Sequence, residues 1–229
     1  MSQASTTEEA TLAHSYLFLR RGIGVIGLAL PFVLVLAKLI VDGGGLLNSI
    51  SGYYYTDVRD VFVGSMCAVG IFLLSYRGYD TLDDIAADLA AVAAFGVAFF
   101  PTTPVNPSQT DRVIGTMHLV FASVFFLTLA YFCLFEFTKS DTANPTRRKV
   151  QRNGVYVACG VIIVASLVLI AVFGLFLSSE TASLRPALWL ESAAILAFGV
   201  AWLTKGEAIL GDLTPAPAPA PDPTPQAAP

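Results

Sequence analysis

The sequence predicts an all-α, polytopic transmembrane bundle of about six helices. Two observations carry this. Hydrophobic residues make up 55% of the 229-residue chain and charged residues only 13%, against roughly 25% charged in a soluble domain. The apolar residues also gather into runs of about 20, the length a helix needs to cross a ~30 Å hydrocarbon core. Backbone groups in lipid must bond within their own segment, so such runs are expected as helices. Barrel strands would be about ten residues with alternating polarity, and that alternation is absent.

Residues 1–21 read as a polar N-terminal segment on the cytoplasmic side. It carries Glu8, Glu9 and His14 ahead of Arg20-Arg21 and is too long and polar for a secretory leader. Residues 1–7 are expected to be loose, and 8–20 to form an interfacial helix. The transmembrane domain follows over 22–206. Its expected spans are 22–41 (interrupted by Pro31 and Lys38), 58–76, 85–100 with an extension back to 81, 113–137, 154–177 and 186–204. From 207 to 229 the chain becomes Pro/Ala-rich, PAPAPAPDPTPQAAP at its end, and is expected as a disordered cytoplasmic tail.

Lysine and arginine orient the bundle. With the N-terminus inside, the cytoplasmic side receives Arg20, Arg21, Arg77, Lys139, Arg147, Arg148, Lys149, Arg152 and Lys205. The outer side receives Arg59, Arg112 and Arg185. The positive-inside rule then places both termini in the cytoplasm of a multi-pass cell (inner) membrane protein. Lys38 is expected to snorkel outward. The chain lacks the basic footprint of a nucleic-acid binder, so membrane lipids are the expected partners, with homo-oligomerisation left open. The three cysteines, Cys67, Cys133 and Cys159, lie in apolar runs with no CxxC and read as packing residues.

The candidate site comes from polar groups that share one level. The loop between the first two spans reads GGGLLNSISGYYYTDVRDVFVG. Its tyrosines suit a headgroup belt, and it supplies Ser51, Asp57, Arg59 and Asp60. His118 lies six residues beyond Arg112, about 9 Å deeper along a helix, and Glu191 five residues beyond Pro186. An ionisable group at such depth costs a few kcal/mol unless paired or hydrated. The expectation is an outward-facing polar site built from Ser51, Asp57, Arg59, Asp60, His118 and Glu191, binding a lipid headgroup or small polar ligand. The competing reading is a hydrogen-bond network that only pins helices together.

Catalysis finds less support. A zinc site usually takes three protein ligands, and the two histidines are expected on opposite sides. Asp60, His118 and Glu191 match no metal-binding spacing, so no metal or cofactor is expected. Ser51, His118 and an aspartate are the residue types of a hydrolytic triad, but no nucleophile elbow accompanies them. An intramembrane lipid hydrolase stays as an alternative.

A second alternative comes from an internal echo. DLAAVAAFGVAFF from Asp88 aligns with ESAAILAFGVAWL from Glu191 at a shift of 103 residues, with seven identities over the nine positions 90–98. Three spans apart, the two segments run antiparallel. That is the register of a 3+3 inverted repeat and a small secondary transporter. The competing explanation is coincidence between Ala/Gly-rich helices.

The Ser/Tyr loop SISGYYYTDVRDVFVG, FFPT at Phe99–Thr102, MHLVFASVFF at Met117–Phe126 and AFGVAWLTKGE at Ala197–Glu207 together resemble an uncharacterised family of bacterial six-helix integral membrane proteins. The resemblance spans most of 20–207 and implies topology rather than chemistry. A weaker similarity runs to Frag1/DRAM-like membrane proteins, through a fourth-helix histidine comparable to His118. That would imply a role in lipid remodelling. The histidine pattern of alkaline-ceramidase-like hydrolases is missing.

Overall fold

The computed structural model describes residues 2–78, 80–140, 144–177 and 181–211, with side chains from residue 16 onward except at 182. Six α-helices carry the fold: α1 Ser2–Val41, α2 Arg59–Leu74, α3 Thr81–Phe99, α4 Gln109–Tyr131, α5 Arg147–Phe176 and α6 Pro186–Lys205. No strand occurs among the described residues. Four helical stretches are long and apolar enough to cross a membrane: Tyr16–Val41, Gln109–Glu136, Arg147–Phe176 and Pro186–Lys205. The chain is therefore a membrane protein. α2, at 16 residues, is short for a span, and α3 carries Asp83, Asp84 and Asp88.

The N-terminal reading changes. In place of a loose segment and a separate interfacial helix, α1 runs unbroken from Ser2 to Val41 and passes through Pro31. No glycine or proline interrupts residues 2–21, so nothing in the sequence stops the helix there. At the other end, the chain past α6 turns back. The Ala208 and Ile209 amides donate to the Leu203 carbonyl, and Glu207 lies 3.8 Å from Arg152. The structured part thus reaches beyond the boundary at 206, while the remainder of the expected tail, 212–229, lies outside the described residues.

Side-chain caps explain three of the other helix starts. Asp80 caps α3 by accepting from the Leu82 and Asp83 amides, and Asp83 returns the bond. Ser108 and Asp111 form the same reciprocal box at α4. Thr146 caps α5. Each satisfies donors that a helix start leaves without intrahelical partners.

The helices pack as a closed ring in chain order. Each touches the next, and α6 returns to α1. The contacts come in matched pairs: α2–α3 with α5–α6, and α3–α4 with α6–α1, are extensive, whereas α1–α2 and α4–α5 are slighter. Glycine sets the tightest of these approaches. A Cβ on Gly199 of α6 would sit 2.7 Å from the Leu28 nitrogen and 2.9 Å from the Gly24 oxygen of α1. Gly96, its counterpart at the 103-residue shift, is pressed against the Phe121 ring of α4. The two glycines, 103 residues apart, thus sit at the α3–α4 and α6–α1 approaches.

The two ends of the ring differ. One carries the start of the α1 span, the α2–α3 and α4–α5 connections and the end of α6. Its interior is aromatic. Trp202 is fully buried and meets the rings of Tyr76, Phe137 and Phe198 at centroid distances of 5.3, 5.2 and 6.1 Å. The other end carries the α1–α2 loop, with a short 3-10 turn at Ser51–Tyr55, and the loop between α3 and α4.

Candidate functional site

At the second end a cavity opens inside the ring. It is lined by Ile26, Gly27 and Leu30 of α1, Ile50 and Ser51 of the loop, Phe62, Met66 and Val69 of α2, Val97 of α3, Ala122, Phe125 and Phe126 of α4, and Glu191, Ile195 and Phe198 of α6. α5 contributes nothing to this lining. Glu191 is the sole ionisable residue in it. Its Oε2 accepts the Ser51 amide at 3.1 Å, so the carboxylate ties the 3-10 turn onto the bundle. The space open to a water-sized molecule is about 40 Å³. A water needs roughly 10–15 Å³ of such space, so a few atoms fit without rearrangement and a whole headgroup does not.

Of the six residues expected at one site, the structure brings Ser51 and Glu191 together and distributes the other four. His118 is buried, with Nδ1 2.6 Å from the Phe100 carbonyl oxygen. It fastens α4 to the end of α3 rather than meeting Glu191. Asp57, Arg59 and Asp60 are exposed. α2 begins only at Arg59, so Asp57 lies outside the helix and Asp60 in its first turn. The Arg59 guanidinium stacks over the Tyr54 ring at 4.5 Å. The physical reason is geometric: depth along a helix fixes level, but the direction around the helix decides contact, and His118 points at α3. Lys38 also departs from expectation. It is buried, and Nζ donates to the carbonyls of Gly43 and Gly45. Gly43 and Gly44 adopt positive φ, and the turn they make presents the flanking carbonyls to the ammonium.

The opposite end holds a polar cluster that the sequence did not suggest. Asp83 and Glu136 are fully buried. Lys139 reaches both, with Nζ 2.6 Å from Asp83 Oδ2 and 3.1 Å from Glu136 Oε2, and lies 3.1 Å from Asp80 Oδ2. The Tyr76 hydroxyl donates to Glu136 Oε1 at 3.0 Å, and the Tyr131 hydroxyl lies 3.4 Å from Asp83 Oδ1. A π turn over Phe132–Glu136, closed by the Phe137 amide on the Phe132 carbonyl, precedes the lysine. The cluster joins α2, α3 and the end of α4. The hydrogen bond to Asp83 holds the Lys139 ammonium well above its ordinary pKa. The hydrogen bond from Lys139 holds Asp80 below the usual carboxylate range. A sequence signal did exist: an acidic capping box at Asp80–Asp83, and an i,i+3 Glu136–Lys139 pair at the end of an apolar run. Spacing alone could not place the two 53 residues apart in contact.

Among the described residues, no group of three or more His, Cys, Asp or Glu side chains is placed to hold a metal ion, and no hydrogen bond joins Ser51, His118 and an aspartate. No family model matches the chain. No curated protein and no solved structure matches it either. The ring, its cavity and the two polar ends are what define the protein's class.

Proposed function

We propose that this is a multi-pass cell-membrane protein that binds a small ligand in the cavity beneath the Ser51 turn, with Glu191 as the recognising group. One observation carries the reading: a lone carboxylate borders an otherwise apolar cavity shared by five helices. An acid in such surroundings is costly without a partner, and Ser51 supplies a neutral donor rather than a counter-charge. The fitting ligand has an amine or other hydrogen-bond-donating head on a short apolar body. The 40 Å³ lumen favours such a small group over a whole lipid headgroup. Lifting the Ser51–Tyr55 turn provides the additional room. The positive-inside rule supports an orientation in which the end bearing Arg20, Arg21 and Arg147–Arg152 is cytoplasmic, with both termini, and the Ser51 turn faces outward.

The test is a thermal-stability series on the purified protein with ethyl- to hexylammonium, using hexanol as the uncharged control. The alkylammonium ions should raise the Tm of the wild type and not that of Glu191→Gln. Equal shifts in both proteins, or an equal shift with hexanol, would remove the reading.

A second reading, transport, is favoured by the matched packing of α1–α3 and α4–α6 and by the equivalent placement of Gly96 and Gly199. These are what an inverted repeat would produce. It requires movement of the alkylammonium into proteoliposomes, and binding without uptake would exclude it.

A further inference from the structure

A cleft distinct from the central cavity lies on the outer wall of the ring, where α5 ends and α6 begins. It is lined by Asn48 of the first loop, Ile170, Phe173 and Gly174 of α5, and Thr181, Arg185, Pro186 and Ala187, and encloses about 290 Å³. Its chemistry is layered. Ile170 and Phe173 are half-buried on the apolar helix α5. Arg185 and Asn48 form the rim, at the level where that helix ends.

Arg185 is the informative residue. It is half-buried, yet no carboxylate lies within ion-pair distance among the described residues. Its side chain extends toward the first loop, with Nη2 4.0 Å from where a Cβ of Gly45 would sit. The backbone is left-handed at φ 50 and ψ 53, a region an L residue other than glycine seldom enters. A half-buried guanidinium with no carboxylate partner among the described residues can take an anion from outside, and its planar fork matches phosphate oxygens. Asn48 adds amide donors. Thr181 does not donate, because its hydroxyl proton is already given to the Leu177 carbonyl at 2.7 Å.

We propose that this cleft is a binding site for an anionic phospholipid, whose phosphate is taken by Arg185 and Asn48 and whose acyl chain lies along Ile170 and Phe173. The apolar lower wall selects a lipid over a free anion. The position at the end of a membrane-crossing helix puts the guanidinium at headgroup depth. The site shares no residue with the Glu191 cavity, so either can fail without the other.

The test uses the full chain reconstituted in phosphatidylcholine vesicles, with spin-labelled phosphatidylglycerol or phosphatidylcholine as the probe of lipid held against the protein. One basic residue at a headgroup is worth about a fivefold preference. Arg185→Gln should lower the phosphatidylglycerol preference by about that factor, and Arg185→Lys should keep part of it. Arg112→Gln, which removes an exposed cation at the same end, should change nothing. The proposal falls if Arg185→Gln keeps the wild-type preference, or if Arg112→Gln loses as much. It also falls if millimolar inorganic phosphate displaces the labelled lipid, which would mark a free-anion site. Should Arg185→Gln fail to fold, Asn48→Asp carries the same test by setting a negative charge on the exposed rim. A preference unchanged in that variant overturns the proposal.

Discussion

Removing the Lys139 ammonium probes the buried cluster most directly. At an effective dielectric of about 20, unit charges separated by the 2.6 Å of the Lys139–Asp83 pair attract by about 6 kcal/mol. Most of that offsets the cost of taking both groups out of water. Lys139→Ala leaves Asp83 and Glu136, both fully buried, without their shared cation. Breaking a buried pair from one side costs about 3–5 kcal/mol. Lys139 keeps 34% of its side-chain surface exposed, and Tyr76 still donates to Glu136. The expected loss therefore lies at the lower end, about 3 kcal/mol, or more than a hundredfold in the folding equilibrium. The assay is reversible unfolding in mixed micelles by SDS titration. Lys139→Ala with Asp83→Asn should recover at least about 1 kcal/mol of the loss, because the stranded charge goes with its partner. A Lys139→Ala cost below about 1 kcal/mol, the size expected of an exposed pair, would refute the reasoning.

The same assay separates the glycines. Gly199→Ala drives a Cβ into the α1 backbone and should cost about 1–3 kcal/mol, whereas Gly154→Ala and Gly174→Ala, which meet open space, should be neutral or gain up to about 1 kcal/mol. Equal effects at all three would remove the close-contact account. For pH, Asp80 is held below its ordinary value and Lys139 above its own. The Asp80 contribution is therefore present above about pH 4 and lost as pH falls through the lowered value, while the Lys139 contribution is present below about pH 10 and lost only as pH rises beyond it. The stability difference between wild type and Asp80→Asn should accordingly be flat across neutral pH and shrink in acid. A difference that grows in acid would contradict the pairing.

Helix number and approximate bounds were legible, because apolar run length and charge depletion report directly on a lipid environment. The caps at Asp80 and Ser108 start α3 and α4 four residues ahead of the apolar runs from 85 and 113. Two features escaped. The continuity of α1 did so because polarity marks exposure and not a helix boundary. Of the six polar residues expected together, Glu191 and Ser51 meet, 140 residues apart, but His118 turns to the Phe100 carbonyl. Depth along a helix can be counted from the sequence, whereas azimuth cannot. The Asp83–Glu136–Lys139 cluster escaped for a related reason. Its members lie at the ends of apolar runs, where charges ordinarily face water, and only the ring closure and the π turn enclose them.

The closure of the ring between α1 and α6 bears on synthesis as well as on stability. Gly24 and Gly199 meet across 175 residues of chain, and translation at about 5–20 residues per second separates their emergence by roughly 10–35 seconds. Throughout that interval the glycine-lined face of the first helix is solvated by lipid tails, with α2 as its neighbour in chain order. The cavity lacks its fifth helix until α6 arrives, and Glu191 enters the bilayer on the segment that completes it. A chain stopped before residue 186 would lack α6, and with it the Glu191, Ile195 and Phe198 wall of the cavity.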